Sequence, residues 1–161
     1  DGIRDIHCSL VGSEMCIRDR FCAYQERCIL EVQQKLKGFE LSQEVEVTLI
    51  DKLIQSDLLN ENRFAIQYTR GKFRIKEWGA VRIRGQLRSK KIAEDIIQHA
   101  LDQLDPVEYK EVFDALAIRK LEGIKQKDLQ QKRKKLADML LYRGWESELV
   151  YERVRELIPF S

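Results

Sequence analysis

The chain is poor in residues that break or bend a backbone. Its 161 residues include only 2 Pro and 8 Gly. Sandwiches and barrels need many tight turns, so this scarcity argues against an all-β fold and favours long helices. Histidine is scarce as well: His7 and His99 are the only two. The 4 cysteines, Cys8, Cys16, Cys22 and Cys28, crowd the first fifth of the chain and form no C-x-x-C pair. Zinc would lack a normally spaced ligand set, and free thiols in a reducing cytoplasm are expected. No run approaches the roughly 18 apolar residues of a membrane span, so no membrane partner is expected. Net charge is nearly absent, since 29 basic side chains face 27 acidic ones for a net +2. That excludes a polyanion-coating tail but permits a local basic face. A P-loop, a dinucleotide fingerprint and a nucleophile elbow are all missing, which argues against an enzyme.

What is present is charge and apolar periodicity. Charged residues make up 35% and apolar residues 43%, as expected of one or two globular domains. The first twenty residues do not share this character. Asp1 to Arg20 has no sustained period and is not built as a signal peptide. Its stretch from Ser9 to Asp19 looks like a translated sequencing-adapter segment. Residues 1–20 are therefore expected to be a non-native or disordered leader without function.

The remainder repeats. At an offset of 51 residues, Val32, Leu36, Leu41, Val45, Ile50 and Leu53 fall on Ile83, Leu87, Ile92, Ile96, Leu101 and Leu104. A further 53 gives Leu136, Leu140, Trp145, Leu149, Val154 and Leu157. Within each copy the first two positions are an i,i+4 pair on one helical face. A turn follows, ending at Glu40, Lys91 and Gly144, and then a second helix. Another helix precedes each pair. In the middle copy it runs from about Asn62 to Ile75, with Phe64, Ala65 and Tyr68 inward. In the last copy it starts with Asp105 as N-cap and Pro106 at the first helical position, and it carries Val112, Phe113, Leu116 and Leu121. In the first copy it is a stub, Phe21 to Gln25. The spacing predicts an all-α fold: three tandem three-helix repeats over 21–60, 61–105 and 106–158, with a short tail, 159–161. One such unit buries too little alone, so neighbours must stack into an elongated, curved array.

Charge is unevenly placed along these units. Between Arg70 and Lys91 nine basic residues face one acid, Glu77: Arg70, Lys72, Arg74, Lys76, Arg82, Arg84, Arg88, Lys90 and Lys91. A second block holds Lys125, Lys127, Lys132, Arg133, Lys134 and Lys135. The acids Glu40, Glu44, Glu46, Asp51, Asp57 and Glu61, between Phe39 and Asn62, are the counterweight. Nine like charges in one unit repel one another, so a binding face is the better reading of the middle block. Such a face suits phosphates or an acidic protein groove, and charge alone does not choose. Trp145 holds a repeat-core position and should be packing. Trp78, just before a helix start, either staples that helix or stacks on a partner. Cys28 reads as a small filler near a helix start.

The motifs resemble a known family. Asn62, Arg63, Phe64 and Ala65, then Arg70 and Lys72, then Trp78, Gly79, Ala80, Val81, Arg82, Ile83 and Arg84, then Leu87, Arg88 and Lys90 resemble the central motif of the RecX family of bacterial recombinase regulators. Leu140, Leu141, Tyr142, Arg143, Gly144 and Trp145 resemble its C-terminal repeat signature. Cys22 to Cys28, with Val32 and Leu36, resemble its N-terminal repeat. The resemblance covers about residues 21–158. It implies a cytoplasmic, all-helical monomer without cofactor that binds the groove of the RecA filament on DNA. Its implied action is damping of strand exchange, ATP hydrolysis and co-protease activity, within homologous recombination, DNA repair and the SOS response. The candidate partner-binding residues are Arg70, Lys72, Arg74, Lys76, Trp78, Arg82, Arg84, Arg88, Lys90 and Lys91, with Lys132 and Arg133 from the second block. A sequence-blind module for single- or double-stranded DNA, acting by competition for DNA, is the alternative. The family usually has Gly where this chain has Glu40 and Lys91, and often Pro where Ala80 stands. These departures bear on turn geometry.

If the middle block is the binding face, replacing Arg82, Arg84 and Arg88 together by Glu abolishes inhibition of the RecA ATPase. The helical circular dichroism signal should persist in that variant.

Overall fold

A computed structural model of the chain describes residue 12 and residues 14–160. Among them are nine helices and no strand, so the fold is all-α. The first unit holds α1 (Ile17–Cys22, wound as a π-helix), α2 (Ile29–Leu36), continued by a single 3-10 turn (Lys37–Phe39), and α3 (Gln43–Gln55). The middle unit holds α4 (Glu61–Lys76), α5 (Ala80–Ser89) and α6 (Glu94–Asp102). The last holds α7 (Pro106–Glu122), α8 (Leu129–Tyr142) and α9 (Ser147–Leu157). Much of the suspected leader, residues 1–11 and 13, lies outside the described residues. The part that is described enters α1, where Ile17 is only 2% exposed beside Cys22. The helix of the first unit thus starts earlier than the expected stub from Phe21 to Gln25 and ends at Cys22, with Ile17 and Cys22 both buried in the core of that unit.

Side-chain caps set four of the nine described helix starts. Ser42 accepts from the amide of Val45, Asn60 from Arg63, Asp105 from Val107 and Asp128 from Gln131. Each satisfies one of the amides that a helix start leaves without an internal partner. Pro106 occupies the first turn of α7, where its missing N–H costs nothing.

The repeat is visible in the burial. Val32, Ile83 and Leu136 are fully buried, as are Leu36, Leu87 and Leu140 one turn later. Ile50, Leu101 and Val154 are also core residues, whereas Val45, Ile96 and Leu149 sit at the core's margin. The three equivalent turns share one backbone state: Glu40, Lys91 and Gly144 have φ of 52°, 59° and 85°. The left-handed geometry survives the loss of glycine at two of them. The strain, about 1 kcal/mol for each side chain, is held by the helices packed on either side.

Two cores form rather than three. Ile17, Cys22, Val32, Leu36, Leu49, Ile50, Leu53 and Leu59 close a core within the first unit. The middle and last units share a single larger one, to which the first unit adds Cys28 and the partly buried Leu30. Trp145 lies near its centre, 1% exposed. Its ring centroid is 4.7 Å from Tyr109, 5.0 Å from Phe113 and 6.4 Å from Phe73, so all four aromatics belong to one cluster.

The joint between middle and last units is a match of helix ends. At the start of α5, the amide of Gly79 donates to Arg143 O at 2.9 Å and that of Val81 to Gly144 O at 3.0 Å. Between them the amide of Ala80 donates to the Tyr109 hydroxyl at 2.9 Å. That hydroxyl donates in turn to Glu146, and burial pushes its pKa far up. Trp145 Nε1 donates to Glu77 O at 3.2 Å. Amides without partners at the start of α5 thus meet carbonyls without partners at the end of α8. The approach requires two glycines. A Cβ on Gly79 would lie 2.6 Å from the Cα of Trp145, and one on Gly144 would lie 2.8 Å from the Cα of Arg82.

Gly79→Ala should therefore destabilise the protein by about 3 kcal/mol or more, as a backbone clash in a core. Gly85→Ala in the same helix, where a Cβ meets open space, should stabilise it by about 0.5–1 kcal/mol. Urea unfolding of the two variants checks both signs.

Candidate functional site

Four of the nine cations of the middle block have acidic partners among the described residues. Arg84 and Arg88 both pair with Glu94, and Arg84 also reaches Gln98 at 2.5 Å. Hydrogen bonds from Arg88 and Arg84 hold the Glu94 carboxyl below its ordinary pKa. Arg74 pairs with Glu108 at 3.2 Å. Lys90 pairs with Glu31 of the first unit at 2.7 Å. In the last unit Arg133 donates to Ile158 O and Pro159 O and covers the Phe160 ring at 4.1 Å, so it ties down the end of α9. Arg70, Lys76, Lys91 and Lys132 have no ion pair among the described residues.

Lys72 and Arg82 are different. Neither has an acidic partner among the described residues, and each lies between two aromatic rings. Lys72 Nζ is 5.3 Å from the Tyr68 centroid and 5.2 Å from that of Trp78. The Arg82 guanidinium is 4.3 Å from Trp78 and 4.8 Å from Tyr142. The order Tyr68, Lys72, Trp78, Arg82, Tyr142 is thus a continuous strip of alternating rings and cations. It starts on α4, crosses the α4–α5 turn and ends on α8, so it spans the joint of the two units.

Local sequence explains half of this strip. Tyr68 and Lys72 are one turn apart on α4, and Trp78 follows the left-handed Glu77 (φ 53°) that turns the chain into α5. Glu77 is fixed by Arg119, at 2.6 Å, and by Arg143, at 3.7 Å. The other half comes from the glycine joint. It brings Tyr142 beside Arg82, whose Nη1 donates to Tyr142 O at 2.8 Å. Tyr142 is 76% exposed, Trp78 half-buried. At the first-unit end the strip borders a pocket of about 240 Å³ lined by Gln25, Glu26, Phe64, Tyr68, Lys72 and the exposed Ile75.

Of the twelve residues singled out from sequence, the structure gathers Lys72, Trp78 and Arg82 into this strip. Lys76 follows on α4, beside the same pocket. Arg70 lies with Arg74 beside Glu108, Asp105 and Gln103. Lys132 and Arg133 stand near the start of α8, at the opposite end of that helix from Tyr142. Sequence reading missed Tyr142 and assigned Tyr68 to the core alone. The i,i+4 spacing of Tyr68 and Lys72 was a usable signal; nothing local pairs residue 142 with residue 82.

Chemically, the strip can hold anionic groups and flat groups together. A π face lowers the cost of keeping a cation without a counter-charge and leaves its remaining N–H donors for a ligand. Among the described residues no group of three or more His, Cys, Asp or Glu side chains could hold a metal. No described helix is long and apolar enough to cross a membrane.

Known proteins resemble this chain in sequence and in fold. Residues 60–101, nearly the whole middle unit, match the family model described as RecX, second three-helix domain. A protein of Bacillus cytotoxicus named Regulatory protein RecX is 29% identical over 139 residues, covering 85% of this chain and 51% of its own length. One of the same name from Prosthecochloris aestuarii is 29% identical over 138 residues, covering 86% and 89%. The chain spans about half the length of the Bacillus relatives it matches. Two crystal structures share the fold. One, of a regulatory protein RecX, has a TM-score of 0.82 at 24% identity, over 94% of this chain and 74% of its own. The other, of RecX from Lactobacillus salivarius, has 0.81 at 23%, over 94% and 97%.

The two tryptophans report on the strip separately. Iodide should quench Trp78 and leave Trp145 dark to it, and it should quench more strongly than caesium because Lys72 and Arg82 flank the Trp78 ring. Trp78→Phe should remove the quenchable fraction of the fluorescence.

Proposed function

This chain belongs to the RecX family, and we propose that it is a non-catalytic regulator that binds the RecA–DNA filament and inhibits its recombinase, ATPase and co-protease activities in the cytoplasm. The observation that carries the reading is the ring-and-cation strip across the middle and last units. It holds two cations that have no acidic partner among the described residues, on a rigid surface two units wide. A filament groove lined by acidic side chains and DNA phosphates has the complementary charge. A two-unit surface can reach across adjacent protomers of a polymer. Binding one filament state better than another is what turns attachment into regulation.

The ion pairing supports assigning this proposed function to a narrower set of residues. Arg84 and Arg88 share Glu94, so they present much less net charge than the sequence suggests. Lys72, Arg82, Trp78 and Tyr142 become the principal contacts, with Lys76, Lys91 and Arg70 as outlying charges. Arg82 also supports the joint through its bond to Tyr142 O. Its replacement therefore confounds binding with folding, and Lys72 and Tyr142 are the cleaner positions.

Lys72→Glu combined with Tyr142→Ala should weaken co-sedimentation with RecA filaments by about tenfold or more, roughly 1.4 kcal/mol, with unchanged circular dichroism. Undiminished co-sedimentation would remove the strip from the interface. ATPase inhibition by the unaltered protein should persist when single-stranded DNA is in excess. Relief by added DNA, with a steep salt slope for binding naked DNA, would instead identify competition for DNA as the mechanism.

A further inference from the structure

The two joints of the molecule occupy equivalent places in the repeat and are built from opposite materials. At the 51-residue offset, Gly79 corresponds to Cys28 and Ala80 to Ile29; at the 53-residue offset, the left-handed Gly144 corresponds to Lys91. One feature is kept. The Ile29 amide donates to Glu61 Oε1 at 3.2 Å, just as the Ala80 amide donates to Tyr109, and each acceptor lies on the first helix of the following unit. The close approach is not kept. Cys28 and Lys91 carry side chains where the second joint has bare glycines. Among the described residues no backbone hydrogen bond joins α2 to the α5–α6 turn.

Charge pairs take their place. Lys90 pairs with Glu31 at 2.7 Å, and Arg63 pairs with Glu26 at 2.5 Å and with Asp57 at 3.0 Å. Arg27 lies 3.9 Å from Glu31. The pairing is imperfect: one oxygen each of Glu26 and Glu31 is buried without a hydrogen-bond partner. Burial also pushes the Glu61 carboxyl above its ordinary pKa. Such a joint gains little net stability, because desolvation of the charges offsets much of their attraction. Apolar burial adds only Cys28 and Leu30 to the shared core, and the first unit closes its own core without a side chain from α4–α9.

We propose that the first unit is an ionically latched arm: α1–α3 detach from the α4–α9 body as a folded unit when the charge pairs at their joint are broken. The body stays rigid, because its own joint is made of backbone hydrogen bonds and a buried aromatic cluster. Opening releases Lys90, whose ammonium lies 5.8 Å from the ring of Tyr68, the first residue of the strip. The arm would thereby regulate the charge of the strip, a consequence that rests on the binding role given to it above.

Small-angle X-ray scattering and circular dichroism of the full chain test the latch with no partner present, so its failure leaves the proposed function standing. Glu31→Gln combined with Lys90→Gln should raise the radius of gyration at low salt by roughly a tenth, against the compactness expected of a folded chain, with the helical signal retained. The charge-swapped pair Glu31→Lys and Lys90→Glu should restore the closed value. In the unaltered protein, raising salt from about 0.05 M to about 1 M, where the screening length falls to roughly 3 Å, should produce the same expansion. An unchanged radius in both the neutral variant and high salt would overturn the latch. Loss of helical signal on opening would overturn it as well, since the arm would then not be a folded unit.

Discussion

The molecule depends on one contact, the meeting of the start of α5 with the end of α8. Each helix end leaves polar backbone groups without internal partners, and burying them unpaired is costly. Here each end satisfies the other, with Gly79 and Val81 donating and Arg143 and Gly144 accepting. The contact is possible only where neither chain carries a Cβ. Once it forms, Trp145 is fixed under the turn through Glu77 O, and Tyr109 is fixed by Ala80 and Glu146. The shared core of the middle and last units then closes around that aromatic cluster.

The same contact creates the candidate binding surface. Lys72 and Trp78 would be neighbours in an isolated middle unit, but Tyr142 reaches Arg82 only because α8 ends against α5. The joint and the candidate surface therefore share a residue in Arg82, which supports the joint through Tyr142 O and lies between two rings. Its neighbours Arg84 and Arg88 have been given to Glu94, which lies at the start of α6 and favours that helix end as an acid. A block that looks uniformly cationic in sequence thus divides into structural charges and available ones.

The two joints show how a repeat protein can vary its rigidity without changing its fold. Equivalent positions carry Gly in one joint and Cys or Lys in the other, and the left-handed turn persists in both. The helix order and spacing are the same. What differs is whether backbones can touch, and hence whether the joint is held by fixed dipoles or by side-chain charges. The likeness in fold to the two RecX crystal structures covers 94% of this chain at 24% and 23% identity.

Much of the architecture was legible before any coordinates. The 51- and 53-residue offsets placed the middle helices, the three turns and most of the core, because apolar spacing reports directly on which face of a helix is covered. Asp105 and Pro106 marked a helix start within a residue, because capping is a local interaction. The family resemblance was carried by short motifs that survive in order. The candidate site was only partly legible. Sequence showed where cations are dense, and it identified Lys72, Trp78 and Arg82 among twelve candidates. It could not show that Glu94 and Glu108 neutralise others, or that Tyr142 completes the strip. Local chemistry and periodicity were decided by the order of the residues. Which charges remain available was decided only when distant helix ends met, because a charge is defined by its neighbours in space.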